Sequence, residues 1–313
     1  MKVLITGSSG YFGSILTNHL IASGISVIGL DIRENPILNR SDFFRYYNCS
    51  ITDRQELASI VSAEQPTHVV HFACTFNKLR DQDKEYTIDV GGSENLLAAV
   101  NRTLSVKQLI YSSSAAVYGG YPDNPEWISE DYEPRPGKYS YGINKRTIEN
   151  MFLSGKRPGL KVVITRVCTL SGPSYSNERV LLKLIAEFPV FPLFYKYNRL
   201  QLIHEHDFVA LMSEILRDPE INGIYNLASD TSSYISDLSP DKKFLLLPKF
   251  VMRSLMWTLW TLRIFNLQPS SLDTSIYPVI LDPQKLVKRY NYKFEYTTES
   301  AFNEIQSRFT SVN

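Results

Sequence analysis

The chain begins MKVLITGSSGYFG, residues Met1 to Gly13, and this stretch decides the fold. An apolar run, Val3 to Ile5, is typical of a buried strand, and Gly7, Gly10 and Gly13 then recur at every third position before a helical pattern. This order of strand, glycine turn and helix predicts a binding site for a dinucleotide pyrophosphate. The glycines let phosphates approach bare backbone, and the helix N-terminus offers unpaired N–H groups.

A second apolar run, Ile25 to Leu30, ends at Asp31, about 20 residues after the glycine turn. An acidic residue at this place accepts hydrogen bonds from ribose hydroxyls and repels a 2′-phosphate, which favours NAD over NADP. Arg33 follows closely and softens that preference. The alternative interpretation is an ordinary Gly/Ser turn, but the flanking strand and helix patterns and Asp31 favour the dinucleotide site.

Composition restricts the classes of function. The 313 residues suit one large α/β domain or a nucleotide domain with a smaller substrate lobe, and 43% hydrophobic content is ordinary for a globular protein. A net charge of +1 gives no reason to expect a nucleic acid or membrane surface as partner. Cys49, Cys74 and Cys168 are too few and scattered for a disulfide framework or a zinc site, so we expect a reducing compartment, the cytoplasm.

Strand-like and helical segments alternate through the first half of the chain, which predicts an α/β fold with a doubly wound parallel sheet. After the first two strands we predict strands at Phe43–Tyr47, His68–Ala73, Gln108–Ser114, Lys161–Val167 and Ile224–Leu227. Asp53 is expected to cap a helix over Arg54–Ala63, and a longer helix is expected over Glu85–Asn101.

The pattern loosens from Phe191 onward, where prolines recur, as expected of loops that build a substrate lobe. We therefore predict an NAD-binding, Rossmann-type domain over residues 1–168. Segments at about 200–229 are expected to return to this domain. Residues 169–313 are expected to form mainly a smaller substrate-binding lobe.

The stretch from Phe244 to Leu267 is the most apolar segment of the chain. A transmembrane helix, a buried helix and a helix lining an apolar substrate mouth are the alternatives. Pro248, Lys249, Arg253 and Arg263 interrupt the segment and leave no uncharged span of about 18 residues. We therefore expect a buried or mouth-lining helix and no integral membrane span.

Tyr141 and Lys145 lie four residues apart, which places both on one face of a helix. A neighbouring cation favours the phenolate and lowers the pKa of a tyrosine, making it usable as an acid and base. No other tyrosine among the nineteen has a lysine at this spacing. The serines Ser112 to Ser114 lie upstream, closing a predicted strand at the sheet edge where ligands bind in such folds.

With these motifs the chain resembles the extended short-chain dehydrogenase/reductases, also called the NAD-dependent epimerase/dehydratase family, and within it a UDP-glucose 4-epimerase-like subgroup. The family likeness rests on the three glycines, Asp31, His71–Ala73, Ser112–Gly119, Tyr141 with Lys145, and Ile203–Asp207. The subgroup likeness rests on Tyr121–Pro136 and Tyr277–Asp282. The resemblance implies NAD as cofactor, a small-molecule substrate and a homodimer that uses the helices near Glu85–Asn101 and Tyr141–Leu153.

The resemblance also implies roles for individual residues. Ser114 would hydrogen-bond the reacting hydroxyl, Tyr141 would take its proton, and Lys145 would hold the nicotinamide ribose and lower the pKa of Tyr141. The implied cofactor contacts are Gly7, Gly10, Tyr11, Phe12, Gly13, Asp31, Ile32, Arg33, Ser50, Ile51, Phe72, Ala73, Cys74, Ser112, Tyr141, Lys145 and Val167. The implied substrate contacts are Phe76, Ser114, Ala115, Ala116, Tyr118 and Thr169, and no metal is implied.

The chain departs from the family's pattern at several of these places. Dehydratases carry Asp-Glu directly after the catalytic Ser/Thr, whereas this chain has Ala115 and Ala116, which argues against dehydration. Positions where relatives place an Asn and an Arg on the diphosphate hold Thr169 and Leu200, with Arg199 adjacent to the latter. Two further replacements are Ser50 for an acidic residue and Asp89 for an Asn. A diphosphate needs charge-assisted partners, so the identity of the substrate stays open.

Three functions follow as expectations. The first is an NAD-dependent epimerase of a nucleotide sugar, such as a UDP-hexose, that works through transient oxidation to a keto intermediate and return of the hydride. The alternative is an NAD(P)-dependent oxidoreductase of a hydrophobic alcohol or ketone. A non-catalytic nucleotide sensor is a third interpretation, which the intact Ser114, Tyr141 and Lys145 disfavour.

Several other residues invite a functional interpretation and have a plainer one. His204, His206 and Asp207 suggest a metal site, but without a further ligand at suitable spacing they are expected to form the entry of a helix. Cys74 and Cys168 are expected to be small buried hydrophobic side chains, and Tyr118 to serve packing.

Overall fold

The computed structural model describes residues 1–33, 42–75, 79–174, 190–193, 198–240, 243–263, 269–271 and 276–310. The strands in this part of the chain are β1 Lys2–Thr6, β2 Ser26–Asp31, β3 Phe44–Asn48, β4 His68–His71, β5 Gln108–Ser114, β6 Lys161–Val167, β7 Thr169–Ser171, β8 Val190–Leu193, β9 Arg199–Leu200, β10 Leu202–His204, β11 Gly223–Leu227, β12 Ser233–Tyr234 and β13 Lys243–Leu246. The helices are α1 Tyr11–Ala22, α2 Arg54–Glu64, α3 Gln82–Tyr86, α4 Gly92–Arg102, α5 Ser140–Gly155, α6 Glu205–Arg217, α7 Ile235–Leu238, α8 Lys249–Thr261, α9 Gln284–Tyr290 and α10 Thr298–Thr310.

A seven-stranded sheet has the strand order β11-β6-β5-β4-β1-β2-β3. Strand β1 pairs in parallel with both β2 and β4, and β2–β3 and β4–β5 are parallel as well. The chain therefore starts in the middle of the sheet and builds outward on both sides, which confirms the predicted doubly wound α/β fold. The strand order reverses between β1 and β4, and open α/β sheets bind their ligands at the carboxyl ends of the strands at such a point.

Burial on both faces explains why the central strands read as continuous apolar runs. Val3, Leu4 and Ile5 of β1 are all fully buried. One face of the sheet packs on a cluster of apolar residues from the helices α2, α4 and α5, among them Leu57, Val61, Leu96, Val100 and Phe152. This core holds the carboxyl ends of the strands in fixed positions.

The chain divides into two compact units that alternate along the sequence. The first unit comprises residues 1–113, 144–165 and 209–225, and the second comprises 114–143, 166–208 and 226–313. The predicted division placed one boundary near residue 168. The assignment of NAD to one part and substrate to the other stays a prediction.

The observed elements refine several expectations. The Asp53 side chain accepts hydrogen bonds from the N–H groups of Gln55 and Glu56, so it caps α2 as predicted. The single helix predicted over Glu85–Asn101 is instead α3 and α4 joined by a π-helical segment, Thr87–Gly91. A π segment widens the helix locally and leaves the apolar spacing on either side nearly unchanged, so periodicity did not reveal it.

The apolar stretch at Phe244–Leu267 differs from its predicted form, as far as it lies within the described residues. The stretch is divided at Pro248 into strand β13 and helix α8, because proline disfavours helical backbone in the residue before it. The prediction of a buried helix is wrong for α8, since Phe250 and Trp257 are 72% and 61% exposed. Within the described ranges, the helices are all too short or too polar to cross a membrane.

Candidate active site

The glycine turn between β1 and α1 is closely packed. Gly7 has a φ of +72°, and a Cβ there would lie 2.7 Å from the backbone nitrogen of Ala73. A Cβ on Gly13 would lie 2.1 Å from the carbonyl oxygen of Gly7, so the helix rests directly on the turn. Gly10 is the N-cap of α1 and provides no side-chain cap. The first turn of α1 therefore presents backbone N–H groups in the way that a pyrophosphate requires.

Asp31 at the end of β2 is fixed beside this turn. Its Oδ2 accepts a hydrogen bond from the Ser9 N–H at 3.0 Å, and its Oδ1 accepts one from the Arg33 N–H at 3.1 Å. Each carboxylate oxygen has capacity for a further donor, which a ribose hydroxyl supplies. Ile32 and Arg33 are exposed next to it. The turn and the carboxylate together fit a dinucleotide with a free 2′-hydroxyl.

The other predicted cofactor contacts lie around the carboxyl ends of β3, β4 and β6. The Phe12 ring packs edge-on against both Tyr11 and Phe72, at 6.0 and 5.9 Å between centroids. The Ser50 hydroxyl lies 2.7 Å from the Thr52 hydroxyl. The remaining placements are buried Ile51 and Val167 and half-buried Ala73 and Cys74. The predicted substrate contact Phe76 lies outside the described residues.

A network of buried hydrogen bonds is centred on His71 at the end of β4. The sequence did not predict this network. His71 is fully buried, with Nδ1 2.6 Å from the Thr6 hydroxyl and Nε2 2.8 Å from the Ser93 hydroxyl. Burial first, and then the charge of Lys145, lowers the pKa of His71 to about 3. The imidazole is therefore neutral at physiological pH. The sequence signal was a histidine inside an otherwise apolar strand.

Asp89, in the π-helical segment, continues this buried region. Its carboxylate accepts hydrogen bonds from the Thr75 N–H at 2.8 Å and from the Thr75 hydroxyl at 3.1 Å. Burial raises the pKa of Asp89, and these hydrogen bonds and the charge of Lys145 act in the opposite direction. The carboxylate that replaces the family's Asn thus holds Thr75, shortly after β4, in place.

Lys145 on α5 is 4% exposed, and its Nζ donates a hydrogen bond of 2.7 Å to the carbonyl oxygen of Ser112. The ammonium lies 4.8 Å from the centre of the Tyr111 ring. Burial lowers the pKa of Lys145, but Tyr111, Cys74 and Asp89 together outweigh burial, and the pKa is raised. Lys145 therefore carries its positive charge at neutral pH.

The next hydrogen bonds along β5 tie it to α5. The Ser113 hydroxyl donates to Glu149 Oε1 at 2.6 Å, and the Arg146 guanidinium lies 3.1 Å from the other oxygen of that carboxylate. Because Glu149 is fully buried, these contacts set the position of α5 along β5. They fix the backbone that carries Lys145.

Ser114 begins a 3₁₀ turn, Ala115–Tyr118, in the second unit. Its Oγ accepts a hydrogen bond from the Ala116 N–H at 3.2 Å, which leaves the hydroxyl proton to be donated. A Cβ on Gly142 would lie 2.7 Å from the carbonyl oxygen of Ala116, so the first turn of α5 approaches this 3₁₀ turn closely. Tyr141, 8% exposed, precedes that glycine. The close approach brings the Ser114 and Tyr141 segments together.

Tyr118 is fully buried in the second unit. Its hydroxyl oxygen accepts a hydrogen bond from Arg166 at 2.7 Å and lies 3.2 Å from Asn226 Oδ1. The Arg166 guanidinium also lies over the Tyr118 ring, 4.7 Å from its centre. These contacts favour the packing interpretation of Tyr118.

The positions expected to contact a diphosphate are Thr169 and Leu200, and Arg199 lies next to the latter. Thr169 and Leu200 are half-buried. The Arg199 guanidinium forms an ion pair of 2.9 Å with Glu126, hydrogen-bonds the Ser232 hydroxyl and lies 5.6 Å from the centre of the Trp127 ring. Arg199 is therefore already engaged by neighbours in its own unit.

The histidines near β10 form the entry of α6. His204 Nδ1 accepts a hydrogen bond from the His206 N–H at 3.1 Å, while its Nε2 lies 2.7 Å from Glu304. Asp207 accepts from the Tyr292 hydroxyl and from the N–H groups of the chain that follows it. Over the described ranges, no group of three or more His, Cys, Asp or Glu residues is arranged for a metal ion.

Two of the cysteines, Cys49 and Cys168, lie in surroundings that suppress the reactivity of a thiol. Cys168 is buried, and burial raises the pKa of its thiol to about 12. Cys49 is buried as well and has its pKa raised to about 12 for the same reason. Cys74 is half-buried, so the prediction of a buried side chain is confirmed for Cys168 and wrong for Cys74. Thiols with such pKa values are protonated at neutral pH and are poor nucleophiles.

Comparison with known proteins agrees with this geometry. A UDP-glucose 4-epimerase of Lactobacillus helveticus is 32% identical over 179 residues, which cover 56% of this chain and 53% of that protein. The Bordetella bronchiseptica enzyme WbmG, solved in complex with NAD, superposes with a TM-score of 0.78 at 21% identity, over 100% of this chain and 94% of that one. The UDP-glucose 4-epimerase of Thermotoga maritima, solved with UDP-glucose, gives a TM-score of 0.78 at 20% identity, over 100% and 99%.

At these identities the two solved structures show a shared fold. The model of a family described as the NAD dependent epimerase/dehydratase family matches residues 3–228, which is most of the chain. That match covers the glycine turn, Asp31 and the Ser114, Tyr141 and Lys145 constellation. The chain is therefore an enzyme that uses NAD, and it belongs to the NAD-dependent epimerase/dehydratase family.

Proposed function

We propose that this chain is an epimerase of a nucleotide sugar of the UDP-hexose kind. The observation that carries the proposal is the 3₁₀ turn after Ser114, where Ala115 and Ala116 stand in place of the acidic pair of the dehydratases. Elimination of water needs a group that protonates the leaving hydroxyl and one that removes a proton from carbon. The two alanines supply neither group at this place.

The chain's own residues suit reversible oxidation of a hydroxyl. NAD, when bound at the glycine turn and Asp31, supplies a nicotinamide ring that accepts a hydride and returns it. Ser114 donates a hydrogen bond to the reacting hydroxyl, and Tyr141 takes the proton of that hydroxyl as the C–H bond breaks. Tyr141 would give this proton back when the ketone is reduced on its other face, which yields the epimer without net redox change.

Lys145 makes the proton transfer feasible at neutral pH. Its ammonium lies one helical turn from Tyr141 on the same face of α5 and keeps its charge because its pKa is raised. A nearby positive charge favours the phenolate form of a tyrosine. The hydrogen bond to the Ser112 carbonyl holds the ammonium in place.

A nucleotide sugar as substrate is supported by the names of the relatives and by the subgroup resemblance. A homodimer through the α3–α4 and α5 helices and a cytoplasmic location belong to the same proposal, supported by the resemblance and the dispersed cysteines.

The alternative function is net oxidation or reduction of a hydrophobic alcohol or ketone. The engaged Arg199 favours it, because that cation is held by Glu126 and Ser232 and a diphosphate would have to compete with them. The exposure of Phe250 and Trp257 contradicts a buried helix, and an apolar helix lining the substrate mouth stays a prediction.

The test uses the purified chain of 313 residues. It is denatured, the released NAD and NADH are quantified, and the native protein is incubated with UDP-glucose, UDP-galactose and their N-acetylamino forms. We expect about one NAD per chain and interconversion of one epimer pair by chromatography, without NADH accumulation. A Tyr141→Phe variant is the matched control. Loss of water from the sugar, or turnover only with added NAD and an apolar ketone, contradicts the proposal.

A further inference from the structure

The loop between the 3₁₀ turn and α5 closes on itself. Gly119, which ends that turn, has a φ of +66°, and a Cβ on it would lie 2.1 Å from the carbonyl oxygen of Arg135. The backbones of these two residues are therefore in direct contact, although they stand at opposite ends of the loop. Only glycine adopts this conformation and allows this approach without strain. We call residues 119–135 the closed loop.

The side chain of Arg135 binds four other side chains of the closed loop. Two of its nitrogens form an ion pair with the Asp123 carboxylate, at 3.0 and 3.2 Å, and one of them also donates to Asn124 Oδ1 at 3.3 Å. The guanidinium hydrogen-bonds the Tyr132 hydroxyl and lies 4.4 Å from the centre of the Tyr121 ring. The planar fork of a guanidinium makes such contacts at once, and the ammonium of a lysine does not offer it.

Two hydrogen bonds connect this cluster with the turn that begins at Ser114. Asn124 Nδ2 donates to the Gly119 carbonyl at 2.9 Å, and the Gly119 N–H donates to the Ala116 carbonyl at 3.2 Å. Ala116 is also the residue whose N–H hydrogen-bonds the Ser114 hydroxyl oxygen. A continuous path of contacts therefore leads from the partly exposed Arg135 side chain to Ser114.

The end of the closed loop also bears on the start of α5. Pro136 follows the loop directly and lies close to Gly142. A Cβ on that glycine would be 3.1 Å from the Pro136 Cβ and 2.7 Å from the Ala116 carbonyl oxygen. Gly142 itself follows Tyr141. This region of the chain thus contacts both the turn that begins at Ser114 and the helical turn that carries Tyr141.

The ion pair of Arg135 is too exposed to serve mainly the stability of the whole protein. The Arg135 and Asp123 side chains are 36% and 64% exposed, and ion pairs in such surroundings contribute little to the free energy of unfolding. Local order is the larger consequence, because one guanidinium holds four side chains of the same loop.

We propose that Arg135 is a positioning residue of the active site, which keeps the closed loop folded so that the segments of Ser114 and Tyr141 stay packed together. The inference rests on the proposed roles of Ser114 and Tyr141 in proton transfer, and it applies to epimerisation and to net oxidation alike. Proton transfer depends steeply on geometry, and a displacement of about 1 Å lowers the rate about 10²-fold. Arg135 acts through the backbone and needs no contact with the substrate.

The first test measures kcat and KM for Arg135→Met and Arg135→Lys. We expect kcat to fall about tenfold in both variants, because lysine keeps the charge and loses the fork. KM for the nucleotide sugar and the amount of retained NAD should stay within about twofold, since the residues expected to contact these molecules are unaltered. Arg217→Met is the matched control and should keep its kcat, because Arg217 is an exposed, ion-paired arginine of the first unit.

Hydrogen exchange gives a readout that does not depend on the reaction. Peptides from residues 114–124 should exchange their backbone amides at least about tenfold faster in Arg135→Met than in the unaltered chain, whereas those of α2 should be unchanged. Unchanged exchange in 114–124, an unchanged kcat, or a rise of KM without loss of kcat overturns the proposal. If the unaltered chain epimerises no sugar, the proposed function fails, and the exchange rates alone then decide on Arg135.

Discussion

Lys145 stands at a place where the family resemblance expects a cation, Arg199 stands next to one, and the surroundings of the two differ. Lys145 Nζ donates a hydrogen bond to a backbone carbonyl and lies over the face of a ring. Arg199 forms an ion pair with Glu126 and lies beside Trp127. The difference supports the proposal that Lys145 serves the acid–base chemistry, and it predicts that Arg199 serves mainly the structure of its own unit.

The largest expected effect tests the acid–base side of this comparison. Tyr141→Phe removes the proton acceptor, and we expect kcat to fall about 10³-fold, within the range of general acid–base catalysis. The epimer ratio followed by chromatography measures it. Tyr139→Phe is the control, because the Tyr139 ring lies 5.7 Å from that of Tyr141 and is similarly buried. If Tyr141→Phe turns over normally, the assignment of Tyr141 is wrong.

Lys145→Met comes next and tests whether the charge of Lys145 is available to the reaction. We expect kcat to fall about 10²-fold. We also expect the pH–rate profile to shift to higher pH, because the phenolate of Tyr141 loses its neighbouring cation and the pKa of Tyr141 rises. The measurement is kcat against pH from 6 to 10, roughly the range in which a tyrosine titrates. An unchanged pH profile would show that Lys145 acts through structure alone.

The buried histidine beneath Lys145 gives a pH dependence of stability. The pKa of His71 is lowered in the fold to about 3, so below about pH 6.5 the unfolded chain binds a proton that the folded chain does not. The free energy of unfolding should therefore decrease as pH falls from about 6.5, by at most about 1.4 kcal/mol per pH unit. Urea unfolding at several pH values measures this slope.

His71→Gln should flatten that slope, and His206→Gln is the matched control because its side chain is 52% exposed. The control variant should keep the slope of the unaltered chain. If the His71→Gln variant shows the same slope as the unaltered chain, other groups dominate the pH dependence of the free energy of unfolding. Glu64, with its pKa lowered to about 2, is one such group. Glu64 stabilises the fold above about pH 4.5 and loses this contribution as pH falls toward 2.

The smallest effect is expected at Arg199. Arg199→Ala should change KM by no more than about threefold and leave kcat unchanged, because removing an ion pair of a partly exposed arginine costs little. Glu126→Gln is the companion variant, and it should likewise change KM by no more than about threefold and leave kcat unchanged. A rise of KM by about 10²-fold would show that Arg199 leaves Glu126 to bind the substrate's phosphates, and the contrast with Lys145 would then be lost.

The sequence predicted the first unit better than the second for a physical reason. Gln108–Ser114 and Lys161–Val167 were predicted with their observed bounds, since strands buried on both faces are continuous apolar runs with sharp ends. Asp53 was identified as a cap because its partners are two and three residues away. Local patterns decide such features, so one sequence is sufficient to find them.

Features that depend on distant partners were not predictable. The ion pair of Arg199 joins it to a residue 73 positions earlier, and no spacing rule announces it. The network of His71 depends on Thr6 and Ser93 in separate elements. The apolar stretch containing α8 has the composition of a buried helix, and composition does not specify which face is covered.

The 3₁₀ turn after Ser114 has a consequence for how such enzymes diverge. Its fixed contacts use backbone atoms: the Ala116 N–H bonds to Ser114, and the Ala116 carbonyl accepts from Gly119 N–H and packs on Gly142. None of these contacts involves the methyl group of Ala115 or Ala116. We therefore expect other side chains at these two positions to alter the chemistry offered to the substrate while the backbone that positions Ser114 and Tyr141 stays the same.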